Sequence, residues 1–148
     1  MATERTTEYG PGPIQQRQRV DTDERKAATA GLLAACSTAD QARLRAVARE
    51  RTLEPGQTLF DQGSVALAGY LVTEGGADVL VGGRQVAEVG AGALVGEVDV
   101  LGRRPYRNSV VAGTPLTVWQ IDAPDLDRLL AEAPTFARAV ERGFCSPG

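Results

Sequence analysis

The stretch Gly92–Ala112, GALVGEVDVLGRRPYRNSVVA, carries most of what can be read from this chain. A glycine-rich approach (Gly90, Gly92, Gly96) leads into Glu97 and a short apolar segment. An arginine cluster follows at Arg103, Arg104 and Arg107, and then the β-branched run Ser109–Ala112. Glycines let a backbone turn sharply and come close to a ligand. Glu97 to Leu101 is long enough for one or two helical turns, whose first N–H groups lack partners within the helix and favour a negative charge. With Arg107 as a nearby fixed cation, the stretch is a candidate anion site.

These residues resemble the phosphate-binding cassette of the cyclic nucleotide-binding domain, which runs G-x-x-x-G-E, a small or apolar segment, then R-x-x-x-V-x-A. The likeness extends from about residue 24 to about residue 144. Leu53 to Gly63 is similar to the family's L-x-x-G-x-x-L/I-x-x-x-G lead-in, and Tyr70-Leu71-Val72 with Gly75 and Val79 to its next strand pair. The resemblance implies a mainly β fold with flanking α: an antiparallel β-roll (a double-stranded β-helix, jelly-roll-like) with N-terminal helices and two C-terminal helices. It also implies that Glu97 bonds a ribose hydroxyl and that an arginine pairs with a cyclic phosphate.

Composition narrows the function classes. A chain of 148 residues suits one domain, and a net charge of −3 argues against a nucleic-acid surface. The absence of histidine removes His-based metal sites and triads, so neither a catalytic nor a metal site is expected. Cys36 and Cys145 are the only cysteines, which gives a disulfide framework little support and fits a cytoplasmic setting. No apolar run approaches the length of a membrane span, and the N-terminus is polar where a secretory signal would be apolar.

Along the chain, residues 1–21 are rich in Thr, Gln, Gly and Pro and read as a disordered arm. Residues 22–144 read as the domain and 145–148 as a tail. Thr22–Cys36 suits a helix. Ser37 and Thr38 with Asp40 and Gln41 give capping signatures for a second over Gln41–Arg51, whose arginines 43, 45 and 49 are expected to face solvent. Thr58–Phe60, Gly69–Thr73, Ala77–Val81, Gln85–Val89, Ser109–Ala112 and Leu116–Ile121 read as strands of an antiparallel barrel or sandwich, with Gly82-Gly83 as a tight hairpin turn. Pro124 and Pro134 then open two helices. Leu126, Leu129 and Leu130 form the apolar face of the first, and Phe136, Val140 and Phe144 that of the second.

The candidate ligand-binding residues are Gly96, Glu97, Val98, Asp99, Tyr106, Arg107, Asn108 and Ser109. Two features depart from the family pattern. Counting back from Ala112 puts Tyr106 on the arginine position and leaves Arg107 one place late, unless the loop Gly102–Tyr106 absorbs a residue. Asp99 stands where the family has a small residue; it either faces the phosphate or turns outward to pair with Arg103 at helical i, i+4 spacing. The resemblance implies a stand-alone, non-enzymatic regulatory domain that senses cAMP, or a related nucleotide such as cGMP, without a further cofactor and signals to an unidentified protein partner through its C-terminal helices. A homo-oligomer is compatible with this reading, whereas duplex DNA and membrane are not expected as partners. The alternative is a degenerate member of the fold that has lost the nucleotide and serves as an interaction or scaffold module.

Overall fold

The computed structural model describes residues 29–142. The expected N-terminal arm, Phe144 and Cys145 lie outside them, as does most of the first expected helix. What is described of that helix is a turn, Thr29–Leu33, bent at Gly31. Helix α1 (Thr38–Val47) follows, capped as the sequence suggests: the Ser37 side chain accepts from the Asp40 N–H at 3.1 Å.

Eight strands come next: β1 (Arg49–Leu53), β2 (Thr58–Phe60), β3 (Ala68–Glu74), β4 (Gly76–Val81), β5 (Arg84–Gly90), β6 (Leu94–Val95), β7 (Ser109–Ala112) and β8 (Leu116–Asp122), with helix α2 (Glu97–Leu101) between β6 and β7. Helices α3 (Ala123–Glu132) and α4 (Pro134–Glu141) complete the described chain. The strands form two antiparallel four-stranded sheets, ordered β1-β8-β3-β6 and β2-β7-β4-β5, so the fold is a jelly-roll-like β-roll and not one closed barrel.

The core follows the two-residue period of a pleated strand. Ala77 and Val79 on β4, Val110 and Ala112 on β7, and Leu116 and Val118 on β8 turn inward, while their neighbours are less buried. Strand β3 differs. Ala68 to Val72 are all buried, because β3 lies between β8 and β6 and its second face is also covered. A Cβ added to Gly69 would sit 3.4 Å from the Glu97 Cβ and 3.6 Å from Leu126 Cδ2. The bare backbone at Gly69 therefore lets α2 and α3 rest on β3. Gly82 and Gly83 have φ of +61° and +82°, the mirror-image turn that matches strand twist in a two-residue hairpin.

Two expectations need correction. The second helix ends at Val47 and not at Arg51: Arg49–Leu53 is a strand paired with β8, Arg51 opposite Val118. Strand pairing outweighs the helical spacing of Leu44, Val47 and Ala48, which stops before the paired residues. The two-residue β6 was not foreseen either, since Leu94–Val95 is too short for any periodicity to show.

Helices at the two ends of the domain are joined through Asp40, which is buried. Its Oδ2 accepts from the Thr135 N–H at 2.9 Å and from the Thr135 hydroxyl, and its Oδ1 accepts from Arg43 at 2.9 Å. Residue Ala133, which precedes α4, offers no capping side chain, so a carboxylate from α1 satisfies an open N–H in the first turn of α4. These Thr135 bonds and the Arg43 charge outweigh burial and hold the Asp40 carboxyl below its usual range. A lowered folded pKa gives stability that is present above the unfolded value, about 3.9, and is lost as pH falls through the folded one. Thr135→Val should lower the melting temperature by several degrees at pH 7. The gap to the parent should narrow as pH drops below 4, and a gap independent of pH would contradict the assignment.

Candidate functional site

The cassette begins at Gly96, which has φ of +81°, a conformation costly for residues with a side chain. Space is tight here as well: an added Cβ would lie 3.1 Å from Tyr106 Cε1 and 3.3 Å from Phe60 Cε2. The left-handed turn at Gly96 places Glu97 at the start of α2 and against β3, where it is only 1 % exposed. Val98, by contrast, faces outward.

Tyr106 is held on every side. Its N–H donates to the Ser64 carbonyl at 3.0 Å, and its own carbonyl accepts from the Gly63 N–H at 2.8 Å. The ring stacks on Phe60 with centroids 3.9 Å apart and 18° between planes, and Phe60 in turn stacks on Tyr70 at 5.8 Å. The Tyr106 hydroxyl donates to the Ala68 carbonyl at 2.6 Å. Only 4 % of the residue is exposed, and burial, the largest cause, raises its hydroxyl pKa well above the usual phenol value. Tyr106 is thus a neutral, hydrogen-bonded core residue.

The neighbouring arginine turns the other way. At the bend that follows the inward Tyr106, Arg107 faces solvent, with its side chain 43 % exposed. There its Nε donates to Asp99 Oδ1 at 2.9 Å and its N–H to Asp99 Oδ2 at 3.0 Å. Arg104 Nε donates to the same Oδ1 at 3.0 Å. Asp99, 4 % exposed, is the buried hub of this cluster.

Tyr106 takes the inward place and Arg107 does not, which is the side-chain arrangement expected when the loop absorbs no residue. The outward Asp99–Arg103 pair, one of the two orientations left open, does not form. Helix α2 ends at Leu101 and Arg103 lies beyond it with φ of +55°, so i, i+4 helical spacing does not apply. Of the remaining candidates, Asn108 is buried, and the Ser109 Oγ accepts from the Gln62 N–H at 2.8 Å. The sequence reading missed the parts played by Arg104, Phe60 and Ala68. Arg104 was visible as a basic residue in the cluster, but its partner depends on the turn after α2.

With this geometry in view, the model of the cyclic nucleotide-binding domain matches residues 50–133. The chain belongs to that family. A protein described as a potassium channel protein of Rhodopseudomonas palustris is 30 % identical over 107 residues, which are 70 % of this chain and 26 % of that protein. The cAMP-dependent protein kinase regulatory subunit of Yarrowia lipolytica is 25 % identical over 96 residues, 65 % of this chain and 26 % of that one. The chain therefore spans about a quarter of the length of each of these relatives. Among solved structures, the N-terminal domain of a transcriptional regulator from Streptomyces coelicolor is 33 % identical, covers 75 % of this chain and 81 % of its own, and superposes with a TM-score of 0.62. Thermus thermophilus catabolite activator protein shares the fold at a TM-score of 0.66 with 24 % identity, covering 72 % of this chain and 52 % of its own. Among the described residues no helix is long and apolar enough to cross a membrane.

The packing of Tyr106 can be weighed by mutation. Tyr106→Ala should cost about 3–5 kcal/mol of stability, the usual range for removing a buried aromatic ring. Tyr106→Phe should cost about 0.5–1.5 kcal/mol by leaving the Ala68 carbonyl without its donor. Urea unfolding checks both, and a loss below about 1 kcal/mol for the alanine variant would contradict the packed ring.

Proposed function

We propose that this chain is a regulatory domain of the cyclic nucleotide-binding fold whose cassette is closed by its own side chains, and that it works as a protein-interaction module without taking up cAMP or cGMP. One observation carries the reading: at the family's arginine position stands Tyr106, a neutral ring packed against Phe60 and the Gly96 turn. A cyclic phosphate would meet that ring where the family resemblance implies a guanidinium. The missing charge-assisted contact is worth roughly 1.5–3 kcal/mol, a ten- to hundredfold loss or more in affinity. Displacing the ring would also break its stack and its bond to Ala68. Arg107 does not make up the difference, because it is engaged by Asp99.

For a partner, the domain offers the loop between β2 and β3, where Val65 and Leu67 are 71 % and 67 % exposed. The same loop grips Tyr106 through Gly63 and Ser64. Two exposed apolar side chains on one loop make it the candidate contact surface for a protein partner.

A second reading, uptake of a cyclic nucleotide through Arg107, draws support from the Gly96–Glu97 turn. That turn keeps the cassette's backbone and its acid in place. Titration calorimetry separates the two. The parent should give no binding heat with cAMP or cGMP at ligand concentrations up to about 1 mM. The double variant Tyr106→Arg/Asp99→Ala, which restores the family's residue types at both departures, should bind with a Kd below about 1 mM. Saturable heat from the parent would establish the second reading instead.

A further inference from the structure

The buried carboxylate of Asp99 is surrounded on its acceptor sides by donors from one short loop. Two guanidinium Nε–H groups converge on Oδ1 and one backbone N–H meets Oδ2, all at 2.9–3.0 Å. The Arg104 N–H also donates to the Asp99 carbonyl at 3.1 Å, tying the loop to the end of α2 a second time. Both arginine side chains remain nearly half exposed, at 46 % and 43 %, while the carboxylate beneath them is 5 % exposed. Two cations and a peptide N–H therefore focus on one small buried space from its solvent side. The chemistry of that donor set is the chemistry of an oxyanion site.

We propose that Asp99 is a built-in anion: its carboxylate occupies a small oxyanion site formed by Arg104, Arg107 and the Arg107 N–H, and so fixes the Gly102–Arg107 loop onto α2 without an external ligand. The site takes a carboxylate or a phosphate by the same contacts, and in the parent it is filled from within. A substitution that removes the carboxyl group leaves two cations and a peptide donor facing a vacated space, which a free oxyanion of matching size then enters. This extends the closed-cassette reading by naming what holds the arginines, and its test is independent of that reading.

Asp99→Ala should lower the melting temperature by several degrees. Formate or inorganic phosphate, titrated against chloride at constant ionic strength, should restore much of the loss saturably. The parent should not distinguish these salts, and adding Arg104→Ala to Asp99→Ala should weaken the rescue about tenfold or more. Absence of saturable rescue, or equal rescue in the parent, would overturn the proposal. Should Asp99→Ala not fold in any salt, Asp99→Asn keeps the shape and removes the charge. NMR should then show that two exchange-protected arginine Nε–H resonances of the parent are lost, and their survival would count against the built-in anion. Calorimetric heat from the parent with cAMP alongside intact formate rescue would remove the closed-cassette reading and leave the role of Asp99 standing.

Discussion

The ring of Tyr106, pressed between the Gly96 turn and Phe60 and bonded to the Ala68 carbonyl, is the contact on which the rest of the cassette depends. It joins four pieces of chain: the end of β2, the start of β3, the turn before α2 and the loop before β7. The ring points inward, and at the bend that follows it Arg107 points outward. There Arg107 meets Asp99, a buried carboxylate that Arg104 also contacts. Under the closed-cassette reading proposed above, a loop that resembles an external anion site is satisfied from within. Glycine at 96 is the matching requirement, since its φ of +81° strains any residue with a side chain and an added Cβ would sit only 3.1 Å from the ring.

Much of the fold was legible in the sequence because its signals are local. The β-branched runs at Thr58–Phe60 and Ser109–Ala112 match the observed strands residue for residue, and the paired glycines mark the β4–β5 turn. Ser37 announced the start of α1, and Pro124 and Pro134 the two C-terminal helices. What was not legible depends on partners remote in the chain. Arg49–Leu53 is a strand only because β8 lies beside it, and β6 only because β3 does. Asp40 looked like part of a local capping box, yet its carboxylate caps a helix 95 residues away.

The candidate site shows the same division. Gly96 and Glu97 could be placed from the motif alone. The count from Ala112 raised the possibility of a tyrosine at the arginine position, but register alone left two alignments open, and the inward direction of the Tyr106 side chain, which supports that count, is set by contacts remote in the chain. For Asp99 the i, i+4 rule suggested Arg103. The rule applies within a helix, and this helix stops after five residues, so the partners come from the loop beyond it. A motif reports which residue types are present; whether they face a ligand or each other is set by where short elements end.

The central claim, a cassette closed by its own side chains, is tested most directly by observing Tyr106 in the presence of ligand. Nuclear Overhauser contacts between the Tyr106 and Phe60 rings can be followed in isotope-labelled protein with cAMP in large excess. The account predicts that these contacts persist unchanged and that the amide resonances of Gly96, Glu97 and Arg107 do not move. Loss of the ring contacts together with saturable shifts at those three amides would contradict it, because the ring would then be yielding its place to the nucleotide.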